Sequence, residues 1–347
     1  MYNDYFRHVK LWYKMSQWAS KFSILRFWNL FLLFFSYYLS RIIRKPIHWG
    51  LPFHVSIEPT TACNLGCPEC PSGLKSFTRP TGKINMNQHE LWLDQLAPTV
   101  FYITYYFQGE PFLHPQFLNL VKAAKQRKIY TATSTNAHFI DDKKAEEVIE
   151  SGLDQIIISI DGISQAVYEQ YRVHGQLTKV LSGTQALVTT RRRMKSQTPK
   201  IIWQCLAVKP NEHEIPQIFE LGKSLGVDEV RIKTAQLYTY ENGNPLMPQN
   251  NQYSRYKINK VGKYELKNSG GNHCWRMWSG AVISWDGQVV PCCFDKDAKH
   301  AFGELNSQGF KEIYKGSISQ QFRKKVLKKR ETIDICTNCS EGSRVWL

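Results

Sequence analysis

Three cysteines, Cys63, Cys67 and Cys70, stand in the order C-x3-C-x2-C within Cys-Asn-Leu-Gly-Cys-Pro-Glu-Cys. Thiolates at that spacing can bind three irons of a cubane cluster and leave the fourth without a protein ligand. An open metal position is where chemistry occurs at catalytic metals. The rivals are a zinc site or packed thiols. Structural zinc takes four ligands, and no fourth Cys or His lies within reach in sequence. Far downstream stand Cys274, Cys292, Cys336 and Cys339, with gaps of 17, 43 and 2 residues. Four thiolates suit either a coordinatively complete second cluster or a four-cysteine zinc site. Cys293 is an alternative ligand or a buried thiol, and Cys205 reads as core.

These thiols need a reducing setting. The chain of 347 residues has nine cysteines, an odd count, and its N-terminus carries no signal-peptide pattern. Both features argue against a secreted disulfide scaffold and predict a cytoplasmic protein. The net charge of +16 favours anionic partners. The basic residues are scattered, with local runs at 191–193 and 323–330, and read as solvated helix faces. They fit no nucleic-acid motif, so no nucleic-acid partner is expected.

The elements that must position the cysteines follow an alternating pattern. Short β-branched or aromatic runs predict strands at 53–57, 101–107, 130–134, 155–160, 200–208 and 229–234. Helical stretches lie between them at 87–97, 115–127, 141–151, 178–195 and 214–225, with Asn87 and Asp141 as N-caps and Gly152 and Gly226 as stops. Alternation of this kind implies a parallel sheet with covered faces. The fold class is α/β, a partial (β/α)6 TIM-like barrel, whose chemistry belongs at the C-terminal strand ends. Beyond residue 238 the pattern breaks into loops, then a hairpin at 281–290 turning on Asp286-Gly287. Boundaries are expected at 1–48 for an N-terminal helical segment, 49–258 for the core and 259–347 for a small cysteine-rich domain.

The N-terminal segment at 24–43 is apolar and aromatic, with Arg26, Asn29, Ser36, Ser40 and Arg44 in a narrow polar stripe. Three readings stand: it packs on the catalytic domain, lies in a membrane interface with its basic flank on anionic lipid, or spans. The second gives a peripheral location on the inner face of the membrane.

With these residues in view, the segment from 53 to 234 resembles the radical S-adenosylmethionine superfamily. Its hallmark is this cysteine spacing after the first strand. The resemblance implies a catalytic [4Fe–4S] cluster on Cys63, Cys67 and Cys70, with S-adenosyl-L-methionine on the open iron. It further implies reductive cleavage to a 5′-deoxyadenosyl radical that abstracts a substrate hydrogen atom. Phe107-Gln108-Gly109-Glu110-Pro111 resembles the family's Gly-Gly-Glu motif, with Gln108 in place of the first Gly. Gly109 lets the ligand approach, and Glu110 pairs with the methionine ammonium. Thr133-Ser134-Thr135-Asn136, Ser159-Ile160-Asp161-Gly162 and Tyr171-Arg172 look like further family segments, which makes Ser134, Ser159 and Arg172 candidates for the cofactor's ribose and carboxylate. Ser159 and Asp161 also read as caps of a strand-to-helix turn. Glu69 stands where the family usually has an aromatic residue. The Cys274, Cys292, Cys336 and Cys339 group resembles the SPASM or twitch extension in its single-cluster form, implying a second, auxiliary [4Fe–4S] cluster and a likeness to a radical alcohol oxidase.

The residues name no general base; His114, His138 and His174 read as structural. Tyr102, Tyr105 and Tyr106 alternate imperfectly and read as half core. Oxidation or another hydrogen abstraction on a sugar, polyol or lipid-linked small molecule is the first functional expectation. Modification of a peptide or protein side chain is the second, and a non-catalytic metal-binding interaction protein the third. The first two imply a small-molecule or peptide substrate and a reduced flavodoxin- or ferredoxin-type electron donor.

Overall fold

The structure is a computed structural model that describes residue 21, residues 23–268 and residues 270–342. Residues 1–20 and 22 of the N-terminal segment, residue 269, and residues 343–347 of the cysteine-rich region lie outside the described residues.

Helix α1 (Ile24–Ile43) starts at Ser23, whose side chain accepts the Arg26 N–H, and stops at Arg44 in the left-handed conformation. Six strands follow: β1 (His54–Ile57), β2 (Tyr102–Tyr105), β3 (Tyr130–Thr135), β4 (Gln155–Ser159), β5 (Lys200–Ala207) and β6 (Glu229–Thr234). All neighbours pair in parallel and in chain order, the arrangement the alternation implies. The crossovers carry α2 (Pro71–Leu74), α3 (Met86–Leu96), α4 (Phe117–Gln126), α5 (Asp142–Glu150), α6 (Gln165–Tyr171), α7 (Leu177–Arg193) and α8 (Ile215–Leu225). Asp141 caps α5 as expected. The cap of α3 is Asn85, not Asn87; the Asn85 side chain accepts the Asn87 N–H. Outward residues of the strands, such as Ile103, Tyr105, Ile156 and Ile158, pack on Leu93, Leu120 and Val148 of the helix layer.

The later segments are β7 (Tyr256–Ile258) and β8 (Tyr264–Leu266), a small antiparallel pair, then α9 (Arg276–Ser279), β9 (Gly280–Ile283), β10 (Gln288–Val290) and β11 (Gly303–Glu304). Strand β9 pairs in parallel with β1, from His54 against Gly280 to Ile57 against Ile283. The hairpin therefore extends the core sheet to nine strands, in the order β11-β10-β9-β1-β2-β3-β4-β5-β6. Helices α10 (Phe310–Lys315), α11 (Ser317–Lys329) and α12 (Asp334–Thr337) complete the described chain.

Of the three readings of the N-terminal helix, packing on the body is what the structure contains. Four residues of the polar stripe, Arg26, Asn29, Ser36 and Ser40, face inward, whereas Arg44 is exposed. Arg26 donates to the carbonyls of Ala97, Arg127 and Lys128, at the C-terminal ends of α3 and α4. A guanidinium there satisfies carbonyls that a helix leaves unpaired. Asn29 and Leu51 exchange two bonds, at 2.7 and 2.8 Å. Ser40 does the same with Ile47. Among the described residues, no helix is long and apolar enough to cross a membrane.

Candidate active site

The chain leaves β1 through Glu58 and turns into the cysteine loop. Buried Glu58 accepts both arms of Arg79, at 2.6 and 2.9 Å, and the Trp285 N–H at 3.2 Å. This bidentate pair ties the start of the loop to its return. Within the loop, the Gly66 N–H donates to Val173 O and the Cys70 N–H to Cys67 O. The sulfurs meet donors: Leu65 N–H lies 3.5 Å from Cys63 Sγ, and Arg172 Nη1 lies 3.7 Å from Cys67 Sγ. Burial, with Glu110 and the other two thiols adding to it, pushes Cys63 up to about 11; burial raises Cys67 too. A bound cation reverses such a shift, because a coordinating thiol is deprotonated. The loop thus fits a polynuclear group. All nine thiols are free, three of them stand on this one loop, and N–H donors point at the sulfurs of Cys63 and Cys67. Among the described residues, no three donors converge on a single ion. A cubane, which takes one thiolate per iron, does not require that.

Gly109 and Glu110 stand against this loop. Gly109 has φ +74, and a Cβ there would lie 2.1 Å from Thr60 O. The missing side chain faces backbone, so glycine is required here by loop-on-loop packing. The Gly109 N–H donates to Ser72 Oγ at 2.9 Å and the Glu110 N–H to Ala62 O at 2.7 Å. Buried Glu110 accepts from Thr135 Oγ1 at 2.7 Å, the Asn136 N–H at 2.8 Å and the Phe112 N–H at 3.1 Å. Burial dominates and lifts its pKa to about 7, against the pull of those donors. Asn136 reaches back to Asn64 at 2.8 Å, so the ends of β1, β2 and β3 are bonded together.

Ser134 and Ser159 end β3 and β4, one half-buried and one buried. Arg172, which follows α6, pairs with Asp161 through Nε and with Cys67 through Nη1. Two of its three nitrogens are thus already engaged within the chain. Glu69 accepts the Tyr238 N–H at 2.7 Å, fastening the loop to the segment after β6. His114 and His138 hold backbone: Nε2 of His114 lies 2.9 Å from Ile84 O, and Nε2 of His138 accepts the Gln176 N–H at 2.8 Å.

Cys274, Cys292, Cys336 and Cys339 line one internal cavity with Arg330 and Phe294. Arg330 Nη2 lies 3.5 Å from Cys339 Sγ, and the Glu341 N–H lies 3.3 Å from it. Cys293 is turned away from this cavity. Its sulfur accepts from Arg276 Nη1 at 3.8 Å.

Between the two cysteine groups runs a polar lumen. His54 packs on Tyr102 at 5.1 Å and Tyr102 stacks on Tyr130 at 5.3 Å. Tyr105, grouped with its neighbours in the sequence, instead faces outward to His89. Arg231 pairs with Glu229, Arg276 with Glu341, and Lys296 donates to Tyr238 Oη at 2.9 Å. Lys233 makes no ion pair among the described residues and stays solvent-reachable, while the surrounding protein lowers its pKa. Sequence reading missed Lys233, Arg276 and Lys296. Only the alternation along β6 could have put Arg231 and Lys233 on the barrel face.

Comparison with known proteins agrees with this geometry. The family model described as Radical SAM superfamily matches residues 57–205, and the SPASM iron-sulfur cluster-binding domain matches residues 274–340. This chain is a radical S-adenosylmethionine enzyme. Its cofactors are S-adenosyl-L-methionine, a catalytic [4Fe–4S] cluster and an auxiliary cluster in the SPASM-type domain. The tungsten-containing aldehyde ferredoxin oxidoreductase cofactor-modifying protein of Pyrococcus furiosus is 26% identical over 322 residues, 83% of this chain and 87% of that protein. The PqqA peptide cyclase of Gluconobacter oxydans is 27% identical over 204 residues, 58% of this chain and 55% of that one. Among solved radical S-adenosylmethionine structures, BtrN with AdoMet and 2-DOIA covers 86% of this chain and 97% of its own at 17% identity, TM-score 0.55. The anSMEcpe complex with AdoMet and the Cp18Cys peptide covers 85% and 89% at 18% identity, TM-score 0.58. These two likenesses concern the fold.

Proposed function

We propose that this enzyme abstracts a hydrogen atom from a side chain of a peptide or protein substrate. The open edge of β6 carries the reading. The sheet ends there, β6 is only partly buried, and its outer edge has no strand partner among the described residues. An extended peptide can add to such an edge and present alternate side chains to one face. That face holds Arg231 and Lys233. Arg255, which donates to Thr234 O at 3.2 Å, would mark the end of the added strand. The peptide cyclase relative supports the same reading.

In this reading Cys63, Cys67 and Cys70 hold the catalytic cluster, and Cys274, Cys292, Cys336 and Cys339 hold the auxiliary one. Gly109, Glu110, Ser134, Ser159 and Arg172 shape the cofactor pocket at the strand ends, Gly109 by allowing loop contact. The bound cluster and cofactor supply one-electron cleavage of a sulfonium and hydrogen-atom abstraction. Lys233 orients an anionic group of the substrate, and the tyrosine wall limits water around the reacting carbon. An external donor of flavodoxin or ferredoxin type delivers the electron in a reducing cytoplasm. The reading keeps 1–48, 49–258 and 259–347 as working units, with β9, β10 and β11 of the last one joined to the core sheet.

A second reading, oxidation of a sugar, polyol or lipid-linked small molecule, is favoured by the hydroxyl- and cation-lined lumen. One experiment separates the two. Reconstituted enzyme is reduced with S-adenosylmethionine and either a host peptide fraction or a protease-treated small-molecule fraction. Release of 5′-deoxyadenosine above the uncoupled rate, stimulated by peptides and lost on their digestion, is the expected result. Stimulation by the protease-treated fraction alone overturns the peptide reading.

A further inference from the structure

Helix α1 buries Leu33 and Tyr37 together with the polar residues Arg26, Asn29, Ser36 and Ser40, and leaves an apolar face outward. Ser36 and Ser40 are 0% exposed and Arg26 5%, whereas Ile24 is 91%, Phe27 64% and Ile42 78% exposed. A surface helix ordinarily turns a polar face outward. The outward side forms a continuous aromatic ridge. Trp28 stacks on Phe31 at 5.3 Å, Phe31 on Phe35 at 6.3 Å, and Phe35 on the exposed Trp49 at 5.6 Å. Leu25, Tyr38 and Ile43 flank it, all exposed. A contiguous apolar surface of this extent marks an interaction site. The bonds of Arg26, Asn29 and Ser40 fasten the helix to the body with the ridge turned outward.

The charge around the ridge identifies what covers it. No Asp or Glu occurs between Asp4 and Glu58. Arg41, Arg44 and Lys45 are exposed at one end of the helix. Two copies pairing through this face would offer those cations no acidic partner. An anionic bilayer surface offers them headgroups, and it offers Trp28, Trp49 and Tyr38 the boundary that amphipathic rings prefer. A spanning orientation is barred by the buried polar stripe.

We propose that α1 docks this enzyme in-plane on an anionic lipid bilayer, with Trp28, Phe31, Phe35 and Trp49 in the headgroup–acyl boundary and Arg41, Arg44 and Lys45 on lipid phosphates. The barrel is thereby held at a membrane surface by a helix that does not cross it.

The test is flotation of the full-length reconstituted enzyme with vesicles of phosphatidylcholine alone or mixed with phosphatidylglycerol. Binding to the mixed vesicles, roughly tenfold or more weaker on phosphatidylcholine alone and weakened by salt, is expected. The triple variant Trp28→Ser, Phe31→Ser, Phe35→Ser should lose flotation while keeping the wild-type iron content and 5′-deoxyadenosine yield. Arg44→Glu with Lys45→Glu should lose only the preference for phosphatidylglycerol. Absence of flotation with both vesicle types overturns the proposal. So does a wild-type dimer, measured by light scattering, that the triple variant disperses while vesicles remain unbound.

Discussion

Arg276, in the wall of the auxiliary cysteine cavity, points Nη1 at Cys293 Sγ, 3.8 Å away, and Nη2 at Glu341, 3.0 Å away. Two adjacent cysteines are thereby divided. Cys292 lines the auxiliary cavity, whereas Cys293 does not and its sulfur meets Arg276. Cys293→Ala should leave the iron content of reconstituted protein unchanged, whereas Cys292→Ala should lower it by the irons of one cluster. Iron and sulfide analysis of the two variants checks the division.

Lys233 makes no ion pair among the described residues, and neither does Lys296, which is held instead by the Tyr238 hydroxyl. Lys233→Met should weaken an anionic substrate by about 1.5–3 kcal/mol, the range for a hydrogen bond to a charged group. That is roughly ten- to a hundredfold in KM. The uncoupled cleavage of S-adenosylmethionine should not change. Titrating substrate against 5′-deoxyadenosine release in wild type and variant measures both quantities.

The Arg79–Glu58 pair is buried on both sides, at 3% and 0% side-chain exposure. Removing one partner strands the other charge, at a typical cost of about 3–5 kcal/mol. Arg79→Met should lower the urea midpoint accordingly, and Glu58→Gln in the same chain should recover part of the loss. A double variant no more stable than the single one would contradict the stranded-charge argument.

His89 is buried against Tyr105, at 2.8 Å, and burial lowers its pKa to about 3. The unfolded chain takes up a proton near the ordinary value of about 6.5, and the folded chain does not. Stability from the neutral imidazole is thus complete above pH 6.5 and falls as pH drops toward 3. At pH 5.5 the loss is about 1.4 kcal/mol. Glu110 runs the other way, because a carboxyl lifted to about 7 takes up its proton first in the folded chain. Urea midpoints between pH 8 and 5.5 should fall less for His89→Asn than for wild type.

The repeating part of the fold was legible because each βα unit buries a local apolar pattern. Strand β6 and helix α1 have the bounds that patterning predicts. The polar stripe of α1 was legible too, but its direction was not. That direction depends on carbonyls of Ala97, Arg127 and Lys128, far away in sequence. The same holds for β9, whose pairing with β1 joins His54 to Gly280 across the whole core. Helices α10 and α11 went unread, since basic residues interrupt their apolar faces. At the site, cysteine spacing marked both clusters. The engagement of Arg172 with Asp161, and of Gly109 with the Thr60 carbonyl, arises only when loops from different units meet.

The decisive measurement is anaerobic reconstitution followed by reduction in the presence of S-adenosylmethionine, with iron counting and product analysis on the same sample. The prediction is about eight irons per chain, as for two cubane clusters, together with release of 5′-deoxyadenosine. Changing Cys63, Cys67 or Cys70 to Ala should remove that product. Fully iron-loaded wild-type protein that accepts electrons yet releases no 5′-deoxyadenosine would contradict the account.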